Sequence, residues 1–285
     1  MAKILVSKPV VDRQISDLQN RVAKLGTTPK LKVVLIGENP SSKIYVRRKK
    51  EFCEKIGALC EIIERDNSFT PDELTELLKN INEDPNTHGC LVQLPLPEQF
   101  HNFDFQHIIL PSKDVDGFHQ KNIFSVYQNK GGHFLLPCTP VGIVELLKSY
   151  EIPVAGKKVC IIGRSLIVGK PLSMILSNLD ATVTLCHSKT SNLKELTKHS
   201  DIVISAMGQP NYLDETYFRN DKSQTVIDVG IAKMKNNKIS GDVDFENVKN
   251  VVSSITPVPG GVGPMTILSL AKNLVQAAEI IQNKQ

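Results

Sequence analysis

The sequence predicts an α/β fold built from two units. Three observations predict it. Short apolar β-type runs alternate with helical stretches along most of the chain, the order expected of parallel sheets covered by helices. The run Lys157–Ile162 (KKVCII) leads into a glycine turn at Gly163 and then a helix, the form of a first βα turn in a nucleotide-binding unit. A length of 285 residues suits two domains of ordinary size.

The elements follow in order. Leu31–Gly37 (LKVVLIG) reads as a buried parallel strand, Ser42–Gly57 as a helix and Ala58–Arg65 as a second strand. Thr70-Pro71-Asp72-Glu73 opens another helix, with Thr70 as N-cap, Pro71 at the first helical position and Glu73 completing a capping box. Gly89–Leu94 (GCLVQL) is a third strand, stopped by Pro95 and Pro97. Glu98 to Leu136 reads as looser chain. A helix from Pro140 to Tyr150 precedes the Lys157–Ile162 strand. Helix Pro171–Asn178 and strands Thr182–Cys186, Asp201–Ser205 and Thr225–Val229 follow. Pro257–Pro264 is a Gly/Pro loop. From Met265 to about Gln282, Ile267, Leu268, Leu270, Ala271, Leu274, Val275, Ala278 and Ile281 recur at helical spacing. The expected domains are 1–139 and 140–264, with a terminal helix over 265–285 that joins the first.

Composition narrows the function. Hydrophobic residues make up 41% and charged residues 22%, so a packed core and a solvated surface are both available. A net charge of +4 is too mild to suggest a nucleic-acid binder and suits an anionic small molecule. Without Trp and with 5% aromatics, the chain offers little platform for stacking bases. No apolar run is long enough to span a membrane, and the N-terminus does not read as a signal peptide. The six cysteines form no CxxC pair and no metal set, so they read as free thiols, most of them buried, in a cytoplasmic, reducing compartment.

The basic run Arg47-Arg48-Lys49-Lys50 is not a uniform charge patch. At about 100° per residue, Tyr45, Val46, Phe52, Cys53 and Ile56 fall within roughly 60° of Lys49. Arg47, Arg48, Lys50, Glu51 and Lys55 lie about 100° or more away. Lys49 is therefore the basic residue at the centre of the apolar face, with Tyr45 one turn before it. Burial favours a neutral amine, which is how a lysine becomes a proton donor or acceptor near neutral pH. The plainer reading, a lysine snorkelling from the rim of the face, stays open on this pattern alone. Gln93 closes an otherwise apolar strand, at the end where α/β sheets hold ligands. Lys113-Asp114-Val115-Asp116-Gly117 offers two acids, one of which would pair with an amino-pyrimidinone edge, or simply makes an Asp-Gly turn. His119 and His133 read as structural or surface residues.

The turn Gly163-Arg164-Ser165…Gly169-Lys170-Pro171 has glycines that would admit a pyrophosphate at a helix N-terminus, although any buried α/β turn uses glycine as well. About 20 residues on, where an NAD site carries an acid for the ribose, stands Cys186-His187-Ser188-Lys189-Thr190. Hydroxyls and cations there, with Arg164, would welcome a 2′-phosphate and point to NADP. A solvated polar turn is the alternative.

Taken together, these segments closely resemble the bifunctional methylenetetrahydrofolate dehydrogenase/methenyltetrahydrofolate cyclohydrolase family. The resemblance rests on Ser42–Lys49, Val92–Pro97, Lys113–Phe118, Pro137–Pro140, Gly163–Pro171, Cys186–Ser188, Val226–Ile231, Gly241–Val243 and Thr256–Pro264, in collinear order. It implies a folate-binding N-terminal domain, a Rossmann-like NADP-binding domain, a cleft between them, and a homodimer joined through the nucleotide domain. It also implies a place in tetrahydrofolate interconversion and purine biosynthesis, with tetrahydrofolate derivatives as ligands. Lys49 would be the main catalytic group of the hydrolytic step. Gln93 would hydrogen-bond beside it, Tyr45 would pack on the folate ring, and Asp116 would bind the pterin. Gly260, Gly261 and Pro264 would border the folate. Arg164 and Ser188 would hold the 2′-phosphate, with Gly163, Ser165 and Ile231 near the rest of the cofactor. No metal is implied.

Overall fold

Parallel strands covered on both faces read as unbroken apolar runs, and such strands form the centre of the two larger sheets among the described residues, a third being the antiparallel pair of Ala232–Lys233 and Ile239–Ser240. The computed structural model describes residues 1–129, 132, 134–233 and 239–282. In chain order the elements are β1 (Lys3–Ile4), α1 (Lys8–Ala23), β2 (Lys30–Ile36), α2 (Pro40–Lys55), β3 (Leu59–Arg65), α3 (Pro71–Glu83), β4 (Gly89–Val92), α4 (Gln120–Tyr127), α5 (Cys138–Ser149), β5 (Lys158–Ile162), α6 (Gly169–Asn178), β6 (Thr182–Cys186) and α7 (Leu193–Lys198). They continue with β7 (Ile202–Ser205), β8 (Thr225–Asp228), β9 (Ala232–Lys233), β10 (Ile239–Ser240), α8 (Phe245–Val248), β11 (Ser254–Ile255) and α9 (Val262–Gln282).

The chain divides into a six-stranded unit, Met1–Asp12 with Thr139–Thr266, and a three-stranded unit, Arg13–Cys138 with Ile267–Gln285. In the first, the parallel order is β1-β11-β8-β7-β5-β6. Alternation along each strand builds two cores. Val159 and Ile161 pack with Leu5, Ile143, Leu172, Ile204 and Ile227, while Cys160 and Ile162 pack with Val203, Phe218, Val226 and Val252.

In the second unit, β2 lies between β3 and β4, all parallel. Val34, Ile36, Cys90 and Val92 bury against Leu74 and Leu78 of α3. The expected capping box on α3 is present: Thr70 Oγ1 accepts from Glu73 N and the Glu73 carboxylate accepts from Thr70 N. At the other end of α3, the buried Lys113 ammonium donates to the carbonyls of Ile81 (3.0 Å), Asn82 (2.8 Å) and Asp84 (2.7 Å). A cation there meets both the orphan carbonyls and the negative end of the helix dipole. Arg21 of α1 pairs with Glu279 of α9 through two parallel bonds of 2.9 and 2.8 Å.

Three features depart from the sequence-based expectation. The first twelve residues, expected with the N-terminal domain, belong to the six-stranded unit: β1 pairs with β11, and Leu5 is fully buried. Two residues of strand carry no periodic signal, so a strand added by long-range pairing is invisible locally. Helix α1 was not expected, although Val10, Val11, Ile15 and Leu18 recur at helical spacing and are buried. The stretch expected to be loose contains α4, capped by His119, whose Nδ1 accepts from Lys121 N at 3.0 Å. His133 and the last three residues of the expected terminal helix lie outside the described residues.

Because Leu5 is packed into the core of the six-stranded unit, Leu5→Ala is expected to destabilise it by about 2–5 kcal/mol. Urea denaturation followed by a probe in that unit measures the loss.

Candidate functional site

In the three-stranded unit, Asn39 starts α2 by accepting from the amides of Ser41 and Ser42, with Pro40 at the first turn. The helix buries Ser42, Val46, Lys49 and Cys53 and leaves Arg47, Arg48 and Lys50 exposed, as the wheel predicts. Lys49 keeps only 9% of its exposure. Its Nζ donates to Gln93 Oε1 at 3.0 Å. Gln93 lies just beyond β4, and its Nε2 donates to the Leu94 carbonyl at 2.6 Å, so the amide oxygen is turned toward the lysine. Tyr45, one turn before Lys49, is half-buried; loss of hydration raises its phenol pKa, with Arg48 opposing.

Asp116 completes the group. Burial raises its carboxyl pKa, and the Lys49 ammonium pulls in the opposite direction. Its backbone is clamped from several sides. Cys138 N donates to the Asp116 carbonyl at 3.3 Å. The preceding carbonyl, of Val115, accepts from Asn273 Nδ2 (2.9 Å) and Cys138 Sγ (3.1 Å). Gly117 has φ +78°, and a Cβ there would run into the Leu136 backbone. Asp114 anchors the loop by accepting from Gly117 N (3.2 Å), His119 N (2.7 Å) and Asn122 Nδ2 (2.9 Å). Burial holds that carboxyl up at about 6 despite these donors. The Asp116 carboxylate itself has no hydrogen bond among the described residues, which leaves both oxygens to accept from a ligand.

In the six-stranded unit, the predicted residues lie beyond the carboxyl ends of parallel strands. Gly163 follows β5, and its N donates to Cys186 O at 2.9 Å, which sets the Gly163-Arg164-Ser165 turn beside the end of β6 and Ser188. Gly163 has φ +124°, and a Cβ on it would strike Ala206 O. A Cβ on Gly169 would strike Gly163 O. Ser165 Oγ accepts from Val168 N at 3.1 Å, closing the turn just before α6. Arg164 and Ser188 are both exposed, a cation and a hydroxyl free to meet an added phosphate. This glycine cradle at a helix N-terminus fits a dinucleotide. Ile231, 46% exposed, follows β8 and is not adjacent to the turn: β7 stands between β8 and β5. Gly260 has φ +105°, and its carbonyl accepts from Ser7 N (2.9 Å) and Ser7 Oγ (2.7 Å). A Cβ on Gly261 would come within 2.6 Å of Pro257 O. Pro264 is half-buried in the first turn of α9.

Sequence reasoning missed the supports. In the sequence Asp114 is only one of two loop acids. Asn273 was not singled out, although it is a polar residue one turn from buried Leu270 and Ala277 on the terminal helix. That is the same signal that exposed Lys49.

Two family models match the chain. Residues 5–116 match the one described as tetrahydrofolate dehydrogenase/cyclohydrolase, catalytic domain, and residues 137–282 match the one described as its NAD(P)-binding domain. The bifunctional protein FolD of Ligilactobacillus salivarius is 48% identical over 265 residues, 93% of this chain and 92% of its own. The solved structure of the bifunctional enzyme FolD, methylenetetrahydrofolate dehydrogenase/cyclohydrolase, from Campylobacter jejuni is 40% identical, with TM-score 0.94 and 100% of both chains covered. That of the Trypanosoma brucei dehydrogenase-cyclohydrolase, complexed with NADP cofactor and inhibitor, is 31% identical, with TM-score 0.91 and 98% of both chains covered.

Gly169→Ala forces a methyl into the Gly163 carbonyl and is expected to abolish dinucleotide binding. Calorimetric titration with the dinucleotide tests this, with circular dichroism confirming that the fold is retained.

Proposed function

Since the chain belongs to the tetrahydrofolate dehydrogenase/cyclohydrolase family, we propose that it oxidises 5,10-methylenetetrahydrofolate with NADP⁺ and hydrolyses the methenyl product to 10-formyltetrahydrofolate. The observation that carries this reading is the buried Lys49, held by Gln93 next to the half-buried Asp116. NADP⁺, when bound at the Gly163 turn, would supply the acceptor for the hydride that the methylene carbon loses on becoming the methenyl cation.

The chain's own groups act on the folate. The Asp116 carboxylate accepts paired N–H donors from the amino-pyrimidinone edge and fixes the ring. Tyr45 packs on that ring. The Lys49 amine sits where water adds to the cation; it takes one proton from the attacking water and returns it to the ring nitrogen as the C–N bond opens, while the remaining hydroxyl proton leaves to solvent as the formyl C=O forms. Gln93 accepts one of its N–H bonds, so Lys49 keeps a single direction through both transfers. We assign Gly260, Gly261 and Pro264 to the folate as well. Arg164 and Ser188 hold the 2′-phosphate, and Gly163, Ser165 and Ile231 border the rest of the cofactor. The absence of an acid beyond β6 favours NADP over NAD.

The reading includes a homodimer and a role in one-carbon supply to purine biosynthesis, both from the family resemblance. It includes a cytoplasmic location, for which free thiols at all six cysteines speak.

Lys49→Met is expected to lower methenyl hydrolysis by about 10²–10⁴-fold, the usual worth of a positioned acid–base group. NADP affinity should be retained. Spectrophotometric runs from methylene- and from methenyltetrahydrofolate separate the two activities, and full hydrolysis in the variant would refute the assignment.

Acidification provides a second check. Asp116 binds as the anion, and burial raises its pKa, so the anion is lost at higher pH than for an unperturbed aspartate near about 3.9. The KM for folate should rise on acidification before NADP affinity changes. Asp116→Asn should raise that KM and flatten its pH dependence.

A further inference from the structure

The catalytic reading leaves two buried aspartates unused. Asp228 ends β8 at 3% exposure, and Asp242, in the Gly241-Asp242-Val243 segment, is fully buried. Asp228 Oδ1 accepts from Gly230 N (2.9 Å) and Asp242 N (3.0 Å), and its Oδ2 from Val243 N (2.9 Å). Asp242 Oδ2 accepts from Ser205 Oγ (2.8 Å) and Met207 N (2.7 Å), and its Oδ1 from Gln209 N (2.7 Å). The fit is close: a Cβ on Gly230 would strike the Asp242 carboxylate, and one on Gly241 would strike that of Asp228.

The donors come from Ser205, the last residue of β7, from the loop that follows it, and from Gly230 and the Gly241–Val243 segment on either side of β9 and β10; β7 and β8 are neighbouring strands, and beyond their carboxyl ends a parallel sheet holds its ligand. The β7 loop touches the dinucleotide turn directly. Ala206 N donates to Ile162 O at 2.8 Å, and Ala206 O is the atom that forbids a side chain on Gly163. A continuous path of contacts thus runs from Gly163 through Ala206 and Met207 to Asp242, then to Asp228, Gly230 and the exposed Ile231. Burying two carboxylates is expensive, and only an acceptor-only group with two oxygens satisfies three converging donors. The donors here are the loops at the cofactor.

We propose that Asp228 and Asp242 are positioning residues for the dehydrogenase step, a carboxylate clasp that locks the β7 and β8 loops against the Gly163 turn and so holds bound NADP in one pose. The proposal rests on the reading that Gly163 and Ile231 border the cofactor. Hydride transfer is the step that feels a small misplacement, since a shift of about 1 Å costs about 10²-fold. Methenyl hydrolysis depends on Lys49 and needs no cofactor pose.

The test compares Asp242→Asn, Asp228→Asn and the milder Ser205→Ala, which removes one donor. Single-turnover hydride transfer is measured with protiated and methylene-deuterated substrate, alongside methenyl hydrolysis and NADP affinity. Either aspartate variant should slow hydride transfer by about 10–100-fold and raise the isotope effect on kcat, with hydrolysis within about twofold of the parent. Ser205→Ala should slow hydride transfer several-fold at unchanged Tm. Equal losses in both activities of Ser205→Ala, or unchanged hydride transfer in all three variants, would overturn the clasp. Ile231→Asp separates the cofactor assignment from the clasp. If it leaves NADP affinity unchanged, the cofactor assignment fails and takes the clasp with it. If it weakens NADP binding while the clasp variants transfer hydride normally, only the clasp fails.

Discussion

Asp114, Asp228 and Asp242 are carboxylates taken out of water, and most of the donors they find are backbone amides of the loops that carry the candidate sites. Asp114 gathers Gly117 N, His119 N and Asn122 Nδ2, and so fixes the loop that presents Asp116. Asp228 and Asp242 gather six donors, five of them backbone amides. Loops are the least constrained part of a fold, because their backbone groups have no ladder to join. A buried acceptor gives those groups a partner and removes water as the alternative. The glycines around each acid follow from this. At Gly117, Gly230 and Gly241 the space a side chain would need is filled by backbone or by the carboxylate.

This arrangement explains which parts of the structure are legible in the sequence. Lys49 was legible because the helical wheel is local: one turn on either side suffices to show a cation in the middle of an apolar face. The capping box at Thr70 and the strand Thr182–Cys186 were legible for the same reason. What escaped depends on distance along the chain. β1 becomes a strand only by pairing with β11, some 250 residues away. Asn273 reaches Val115 across 158 residues. Asp228 and Asp242 lie in the Val226–Ile231 and Gly241–Val243 motifs, yet their role needs three-dimensional proximity between segments that spacing alone does not relate. Helix α1 is a different case, since its apolar repeat was present and could have been found.

The two units divide the electrostatic work. In the three-stranded unit a cation is buried on an apolar face, next to a carboxylate left without a hydrogen bond among the described residues. Such groups are poised to act on a ligand, because their interactions are completed only when it arrives. In the six-stranded unit the buried charges are saturated by the protein, and the exposed Arg164, Ser188 and Ile231 are left to meet the ligand. The first arrangement suits proton transfer, which needs a group with an unfilled valence of hydrogen bonds. The second suits orientation, which needs a wall that does not move.

Saturation does not make the acids cheap. Burial pushes Asp114 up to about 6 and Asp228 up to about 7 even against their donors. A carboxyl whose folded pKa lies above its unfolded value favours folding while it is protonated, below the unfolded pKa. That contribution is lost as pH rises through the folded value, so near neutrality both groups oppose folding relative to an exposed aspartate. Depression of Asp84 by Lys32 and Thr87 has the opposite sign, stabilising above the unfolded pKa and lost in acid. Asp84 sits with α3, at the far end of the strand that leads to Gln93, whereas the two destabilising acids stand under the loops of the candidate sites. Asp84 thus serves the scaffold, and Asp114 and Asp228 serve loop geometry. The burial of Asp114 and Asp228 is accounted for by what the loops must hold rather than by the stability of the fold.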